Sequence, residues 1–590
     1  MSTPVARIDD LRVTFATDQG SVDAVRGISL EVREREVLAV VGESGSGKSV
    51  TAKTLLGMLP ATASTSGVVV VTHDGADLNV SNVSGSRLRA MRGADVSMVF
   101  QEPSTALNPV YTIGWQMAEI YRAHREQLLQ RGWTKDDFSK KAMRARSVEL
   151  LRRVGIPDAE ERVDYYPHQF SGGQKQRIII AMALALDPPL IIADEPTTAL
   201  DVTVQAEILA LLRHCRDEFG ASILLITHNM GVVADLADRV AVMFHGEIVE
   251  ESEVNALFAR PQHEYTRKLL GAVPKIGEQT KTDPRAEDPQ RFATSDREEV
   301  IRPAGDTADP RFAGRPLAVA AEKMEVRYES RFGKQGFLAV QDATFSIHAG
   351  EVVGLVGESG SGKTTTARAV AGLTKVTGGS LNVLGQEMNG VKEKEFRPLR
   401  SRIGFVFQDP AASFNPLMTI GQCIAEPLIV HGKAKDADAA RGRVNELLDA
   451  VELASSYADR YPHELSGGQR QRASLARGLA LGPELLIADE PTSALDVSVQ
   501  ATVLELFLQL HREFGFACLF ISHDLAVVDV VSHSIFVMYE GQIVEQGVAR
   551  DVLQHPNHPY TQRLLAALPV PDPQVQAQRR EDFARLNAPA

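Results

Sequence analysis

Short apolar segments rich in β-branched residues recur along this chain. Val37–Val41 is one and Val352–Val356 another, and neither alternates with polar positions. Such runs predict strands buried on both faces of a sheet in an α/β fold. Further apolar segments lie at 96–100, 190–193, 224–226, 403–407, 485–488 and 519–521, and each gives way at once to polar or charged residues. A helix is predicted over 49–59, directly after the first run and a glycine-rich turn. The longest unbroken apolar run, 178–186, has nine residues. A bilayer-spanning helix needs about 20, so no membrane span is expected.

The pattern is written twice. Gly42-Glu43-Ser44-Gly45-Ser46-Gly47-Lys48-Ser49 returns as Gly357-Glu358-Ser359-Gly360-Ser361-Gly362-Lys363-Thr364. Ser171-Gly172-Gly173-Gln174 returns as Ser466-Gly467-Gly468-Gln469, Asp194-Glu195 as Asp489-Glu490, and His228 as His523. The copies lie 315 residues apart at the lysine, 307 at Gln101 and Gln408, and 295 from the serine to the histidine. Length changes therefore flank the glutamine, where surface loops and an auxiliary subdomain absorb them. A period of this size means a duplicated domain, not a solenoid. The 590 residues divide into expected domains at 1–275 and 316–590. The intervening 276–315 is charged, punctuated by proline and without an apolar period, and reads as a linker. About 40 flexible residues reach roughly 35 Å, which lets two domains meet face to face without dictating how.

Composition narrows the function classes. Apolar residues make up 44% and charged residues 24%, a balance typical of globular proteins. The formal net charge of −13 argues against nucleic acid as the main partner, because phosphate neutralisation needs a basic face. Cys215, Cys423 and Cys518 are far apart and show no metal-type spacing, which suits a reducing cytoplasmic setting without disulfides. The N-terminus has no basic start followed by an apolar stretch, so no secretory signal is expected.

The repeated motifs carry the chemistry. A buried strand, a Gly-x-x-x-x-Gly-Lys-Ser/Thr loop and a helix start form a phosphate site. Gly42, Ser44, Gly45 and Gly47, with Gly357, Ser359, Gly360 and Gly362, let backbone amides turn onto phosphates. Lys48 and Lys363 can reach the β and γ phosphates, and Ser49 and Thr364 offer a hydroxyl to Mg²⁺. Asp194 and Asp489, each closing a strand, suit a water-mediated hold on Mg²⁺; Glu195 and Glu490 suit the deprotonation of an attacking water. Gln101 and Gln408 follow strands and can touch Mg²⁺ or water, and His228 and His523 can position the γ-phosphate or water. Phe15 and Tyr328, in early strand-like segments, can stack on an adenine ring or serve the core.

In this order the motifs resemble, twice over, those of an ATP-binding cassette (ABC) ATPase. The resemblance implies two P-loop NTPase domains, each with a RecA-like α/β core, an antiparallel β subdomain and a helical signature subdomain. It implies that Ser171, Gly172, Gly173 and Gln174 bind the ATP held by the second half, and Ser466, Gly467, Gly468 and Gln469 that held by the first. Asp201 and Asp496, in the Ala-Leu-Asp segments, would cross the interface of this intramolecular pair. A finer resemblance is to importers of peptides and nickel. It rests on Asn108-Pro109 and Asn415-Pro416 after the glutamines, and on His263-Glu264-Tyr265 and His558-Pro559-Tyr560 in the tails. The first tail departs from the group by carrying Glu264 where proline is usual. Some members hold an iron–sulfur cluster after this tail; no cysteine follows Cys518, so none is expected here.

The resemblance implies an ATP- and Mg²⁺-dependent energy-coupling subunit at the cytoplasmic face of the cell membrane. Its implied partners are two transmembrane permease chains and, indirectly, an extracytoplasmic substrate-binding protein. The implied cargo is a di- or oligopeptide, with nickel, glutathione or another small solute as alternatives. A tandem ABC protein acting on ribosomes or DNA is the distant alternative. Ribosome-acting members show Asn-His where this chain has Thr198-Ala199 and Ser493-Ala494, and DNA-repair members carry zinc cysteines absent here.

Overall fold

The computed structural model describes residues 4–17, 20–73, 76–83, 85–198, 200–274, 276–277, 309–329, 336–492 and 495–587, with backbone only at 73 and 104. Most of the expected linker, 278–308, lies outside the described residues, as do Ala199, Ser493 and Ala494. Two compact units form: 1–273 with 569–585, and 274–568 with 586–590. The second expected domain, 316–590, thus differs from the second unit at 569–585, which belongs to the first.

The first unit holds strands β1 (Pro4–Thr17), β2 (Gly20–Arg33), β3 (Val37–Val41), β4 (Ala63–His73), β5 (Ala76–Asn79), β6 (Val96–Val99), β7 (Leu190–Asp194), β8 (Ser222–Thr227), β9 (Arg239–Phe244) and β10 (Glu247–Glu253). One sheet is antiparallel, in the order β2-β1-β4-β5. The other runs β10-β9-β3-β8-β7-β6; its strands are parallel except β10, which pairs antiparallel with β9 at the edge. The apolar runs explain this sheet. Every residue of β3, β7 and β8 is buried, as expected of parallel strands covered on both faces. Each fully buried Val, Leu or Ile contributes about 1.5–3 kcal/mol relative to exposure. On one side the core continues into a helical subdomain, where Met117, Leu151 and Ile179 join Val41 and Leu225.

The second unit repeats the plan with β11 (Leu317–Tyr328), β12 (Phe337–His348), β13 (Val352–Val356), β14 (Gly378–Val383), β15 (Gln386–Glu387), β16 (Ile403–Val406), β17 (Leu485–Asp489), β18 (Ala517–Ile521), β19 (Ser534–Tyr539) and β20 (Gln542–Val548). Its sheets run β12-β11-β14-β15 and β16-β17-β18-β13-β19-β20, the same order as in the first unit. The helix expected over 49–59 is shorter, Lys48–Leu55. Gly57 takes a left-handed φ of 59° just beyond it, and Pro60 follows, so the helix cannot continue.

Candidate active site

The parallel strands bring their C-terminal ends to one edge of each sheet, where open α/β folds place their chemistry. The phosphate loop leaves β3, Gln101 follows β6, Glu195 follows β7 and His228 follows β8. In the second unit the same places are taken by the loop after β13, Gln408, Glu490 and His523.

Glycine is required in the phosphate loop by close approach. Gly42 has a φ of 152°, and a Cβ there would stand 2.1 Å from the Met243 carbonyl oxygen. Gly47, at φ 102°, would meet the Ala24 carbonyl oxygen at 2.5 Å. Gly357 and Gly362 repeat both constraints against Met538 and Ala339. The loop is closed around a cation. Lys48 Nζ donates to the carbonyls of Gly42 and Glu43 at 2.7 and 2.8 Å, and Lys363 Nζ to those of Gly357 and Glu358 at 2.8 and 2.7 Å. The ammonium therefore sits beside a helix N-terminus, a combination that fits a polyphosphate. Ser46 Oγ and Ser361 Oγ, inside the loops, are buried without a hydrogen-bond partner.

The loop also has a support that sequence reasoning missed. Tyr265 OH accepts the Glu43 N–H at 3.0 Å, and Tyr560 OH accepts the Glu358 N–H at 2.9 Å. These are the tyrosines of the two tail motifs. Each follows a histidine whose Nδ1 caps the tail helix. The signal was present in the matched His-x-Tyr spacing, but nothing local ties a residue to a loop about 200 positions upstream.

Next to the loop, Ser49 Oγ donates to Asp194 Oδ1 at 2.9 Å, and Thr364 Oγ1 to Asp489 Oδ1 at 3.4 Å. A hydroxyl and a carboxylate so placed are hard oxygen donors of the type Mg²⁺ takes together with substrate phosphates. Burial pushes both aspartates above the usual carboxylate range, and the adjacent glutamates add to the effect.

Glu195 is held from three sides. Gln101 Nε2 and Thr198 Oγ1 donate to its Oε2 at 2.8 and 2.9 Å, and His228 Nδ1 lies 3.0 Å from its Oε1. Glu490 receives Gln408 Nε2 at 2.9 Å, with His523 Nδ1 at 3.3 Å. Both glutamates have a φ of 48°, a left-handed strain of order 1–3 kcal/mol that aims the side chain at the cluster. Burial alone would raise these carboxyls. The hydrogen bond and charge of the histidine outweigh it and hold each below the usual range. Each is therefore an ionised base near neutral pH. His523 in turn is pushed down by burial but held above its ordinary value by Glu490.

The signature residues start helices. Ser171 caps Gly172–Leu184 and Ser466 caps Gly467–Gly478, each in a reciprocal box with Gln174 or Gln469. A Cβ on Gly173 would stand 2.4 Å from Val204, and one on Gly468 2.5 Å from Val499, so these glycines allow the helix behind to approach. Gly172 and Gly467 are open, with only a leucine near 4 Å. Among the described residues, no hydrogen bond joins Ser171 or Ser466 to the carboxylate cluster of its own unit. Asp201 and Asp496 precede the long helices Val202–Phe219 and Val497–Phe514. Tyr328 is 42% exposed, and its hydroxyl lies 3.4 Å from Thr365, beside Thr364. Phe15 packs partly against the core of its unit.

The chain is similar to known proteins over nearly its whole length. Residues 25–198 and 340–493 match the ABC transporter family, and 249–297 and 544–588 match the oligopeptide/dipeptide transporter C-terminal region. The chain is 44% identical over 584 residues to the glutathione import ATP-binding proteins GsiA of Shigella sonnei (strain Ss046) and Escherichia coli (strain K12). Each match covers 98% of this chain and 91% of the relative. The ATP-binding cassette MJ0796, solved as a dimer bound to ADP and phosphate, is 30% identical and covers 39% of this chain and 98% of its own, with a TM-score of 0.36. The chain therefore belongs to the ABC transporter family, as a tandem ATPase of its oligopeptide/dipeptide group.

Proposed function

We propose that this ATPase drives the import of short peptides by hydrolysing ATP in both units, docked at the cytoplasmic face of two permease chains. The observation that carries the reading is the duplicated cluster: a lysine-closed phosphate loop beside a glutamate held by a glutamine and a histidine. Lys48 and Lys363 neutralise phosphate charge. Glu195 and Glu490 accept the proton of the attacking water. Gln101 with His228, and Gln408 with His523, fix the carboxylate oxygens that do so. Mg²⁺, when held by Ser49 with Asp194 and by Thr364 with Asp489, supplies further neutralisation of phosphate charge. The signature serines and open glycines of each half complete the ATP site of the other, and Asp201 and Asp496 belong to the same junction.

Among the described residues no helix is long and apolar enough to cross a membrane. The membrane-spanning path is assigned to partner chains. A mostly apolar cavity of about 520 Å³ is lined by Met58, Phe100, Leu107, Trp115, Ile120 and Met182. Trp115 stacks on Tyr111 at 3.8 Å, and both are about 40% exposed. This surface suits a permease segment. The loop leading to it runs directly from Gln101, which touches Glu195.

Peptide cargo is favoured by the two oligopeptide/dipeptide C-terminal regions. The relatives' name points to one member of that class, the tripeptide glutathione. The test is transport into proteoliposomes holding the permease chains, this ATPase and the cognate binding protein. ATP-dependent uptake of di- to oligopeptides or glutathione supports the reading. Uptake of nickel chelates with peptides inert overturns the cargo and leaves the ATPase standing.

A further inference from the structure

The segments after the two glutamines are similar in sequence but fastened differently. Gln101 and Gln408 are each followed, two residues on, by a short helix: Pro103–Ala106 in the first unit and Pro410–Ser413 in the second. In the second unit Arg477 holds the end of that helix. Its Nη1 donates to the Ser413 carbonyl at 2.6 Å and its Nη2 to Ser413 Oγ at 2.8 Å. The guanidinium also lies over the Phe414 ring at 4.5 Å, with the Phe407 ring at 5.9 Å. Charged donors make hydrogen bonds roughly twice as strong as neutral ones, and a planar guanidinium stacks on aromatic faces. The start of the helix is held by Asp409, whose Oδ1 accepts the N–H groups of Ala411 and Ala412 at 2.8 and 3.2 Å.

Arg477 belongs to the helix Gly467–Gly478, which Ser466 caps. The end of that helix is seated on β16, the strand that leads into Gln408. A Cβ on Gly404 of the strand would stand 2.4 Å from the Gly478 carbonyl oxygen, and one on Gly478 would stand 3.1 Å from Val406. Strand, helix end and glutamine segment therefore pack as one block, from which Gln408 Nε2 reaches Glu490 Oε2 at 2.9 Å.

The first unit has the same frame without the brace. At the 295-residue spacing Arg477 corresponds to Met182 and Gly478 to Ala183. At the 307-residue spacing Ser413 corresponds to Ala106, Gly404 to Ser97 and Asp409 to Glu102. A thioether has no proton to donate, and Ala106 has no hydroxyl to receive one. Glu102 makes no side-chain bond to the start of its helix. Ser97, Ala106, Met182 and Ala183 instead line the cavity of about 520 Å³.

We propose that Arg477 is a positioning residue for the second hydrolytic cluster. By fastening the segment after Gln408 to the helix that Ser466 starts, it fixes the Gln408 amide on Glu490. It acts through that segment and not on the reacting atoms. The inference rests on the reading of two working clusters, and adds that only the second carries this brace.

The test is Arg477→Met, which installs the residue that the first unit carries at the matching place. Turnover is measured in a Glu195→Gln chain, where the second cluster alone keeps its base, and in a Glu490→Gln chain, where the first alone keeps it. In the Glu195→Gln chain Arg477→Met should lower kcat about tenfold, the worth of roughly one charge-assisted hydrogen bond. The KM for ATP should stay within about twofold, since phosphate binding is untouched. Arg477→Lys keeps a charged donor for the Ser413 carbonyl and should recover part of the loss. In the Glu490→Gln chain Arg477→Met should leave turnover as it was. Hydrogen exchange without nucleotide needs no turnover: the amides of 411–414 should exchange about tenfold faster in Arg477→Met, and those of 104–107 as in the parent. Unchanged exchange at 411–414 overturns the proposal. So does faster exchange with kcat kept, which would make Arg477 a prop of the segment alone, and so does an equal loss of turnover in both backgrounds. A Glu195→Gln chain that is itself inactive counts against the reading of two working clusters, and the exchange result then decides on the brace.

Discussion

Deleting one oxygen from each tail tyrosine probes how the peptide-transporter region serves the ATP site. In Tyr265→Phe the ring stays where it is, stacked on Phe244 at 4.1 Å, and the acceptor for Glu43 N–H at 3.0 Å is lost. Tyr560→Phe likewise keeps the ring beside Tyr539, at 4.2 Å, and loses the 2.9 Å contact to Glu358. One such hydrogen bond contributes about 0.5–1.5 kcal/mol net. If it stabilises the loop conformation that binds phosphate, the loss weakens ATP binding by about 2- to 10-fold in the altered unit. The two units should respond alike, because the contacts differ by only 0.1 Å. The assay is an ATP titration in a Glu195→Gln, Glu490→Gln background, which separates binding from turnover. Tyr265→Ala, which also removes the stacked ring, should bind more weakly than Tyr265→Phe. ATP affinities for both Phe variants equal to the parent's would refute the reasoning, as the tyrosines would then brace only the tail.

The second unit's acid–base pair sets a pH window. Glu490 is held below its ordinary value of 4.5, so its contribution to stability is present above about 4.5 and fades as pH falls through the lowered value. His523 is held above 6.5, so its contribution is present below about 6.5 and fades as pH rises through the raised value. The Tm penalty of His523→Asn should therefore be largest between about pH 4.5 and 6.5; a penalty flat from pH 4 to 9 contradicts the pairing. Trp115→Ala opens the apolar cavity and unstacks Tyr111, and should lower co-purification with the permease chains without reducing ATP binding. Burial pushes the Cys215 thiol up to about 12 and the Cys518 thiol well up, so both should resist alkylation at pH 8 until the chain is denatured. Rapid labelling of either in the native chain would show that those cores open.

The parts of the candidate site were legible because they are local. A glycine loop after a buried strand, or two carboxylates at a strand end, can be read within ten residues, and the strands Val37–Val41 and Val352–Val356 match the apolar runs that announced them. The duplication doubled each signal. What the sequence did not disclose joins distant residues. Tyr265 reaching Glu43 and Tyr560 reaching Glu358 depend on packing between elements, and no periodicity encodes them. The placing of the last helix was hidden for the same reason. A segment's composition shows that it can be a helix, as Pro573–Leu586 is, but not which core it rests on.

The central claim is that both carboxylate clusters are working hydrolytic sites. Steady-state ATP hydrolysis by Glu195→Gln, by Glu490→Gln and by the double variant tests it most directly. Loss of a general base costs about 10²–10⁴-fold at its own site. The two clusters are built alike, so the single variants should lose activity to a similar degree and the double variant should be nearly inactive. A Glu195→Gln chain that turns over like the parent, beside a Glu490→Gln chain that is dead, would contradict the claim and leave one working site instead of two.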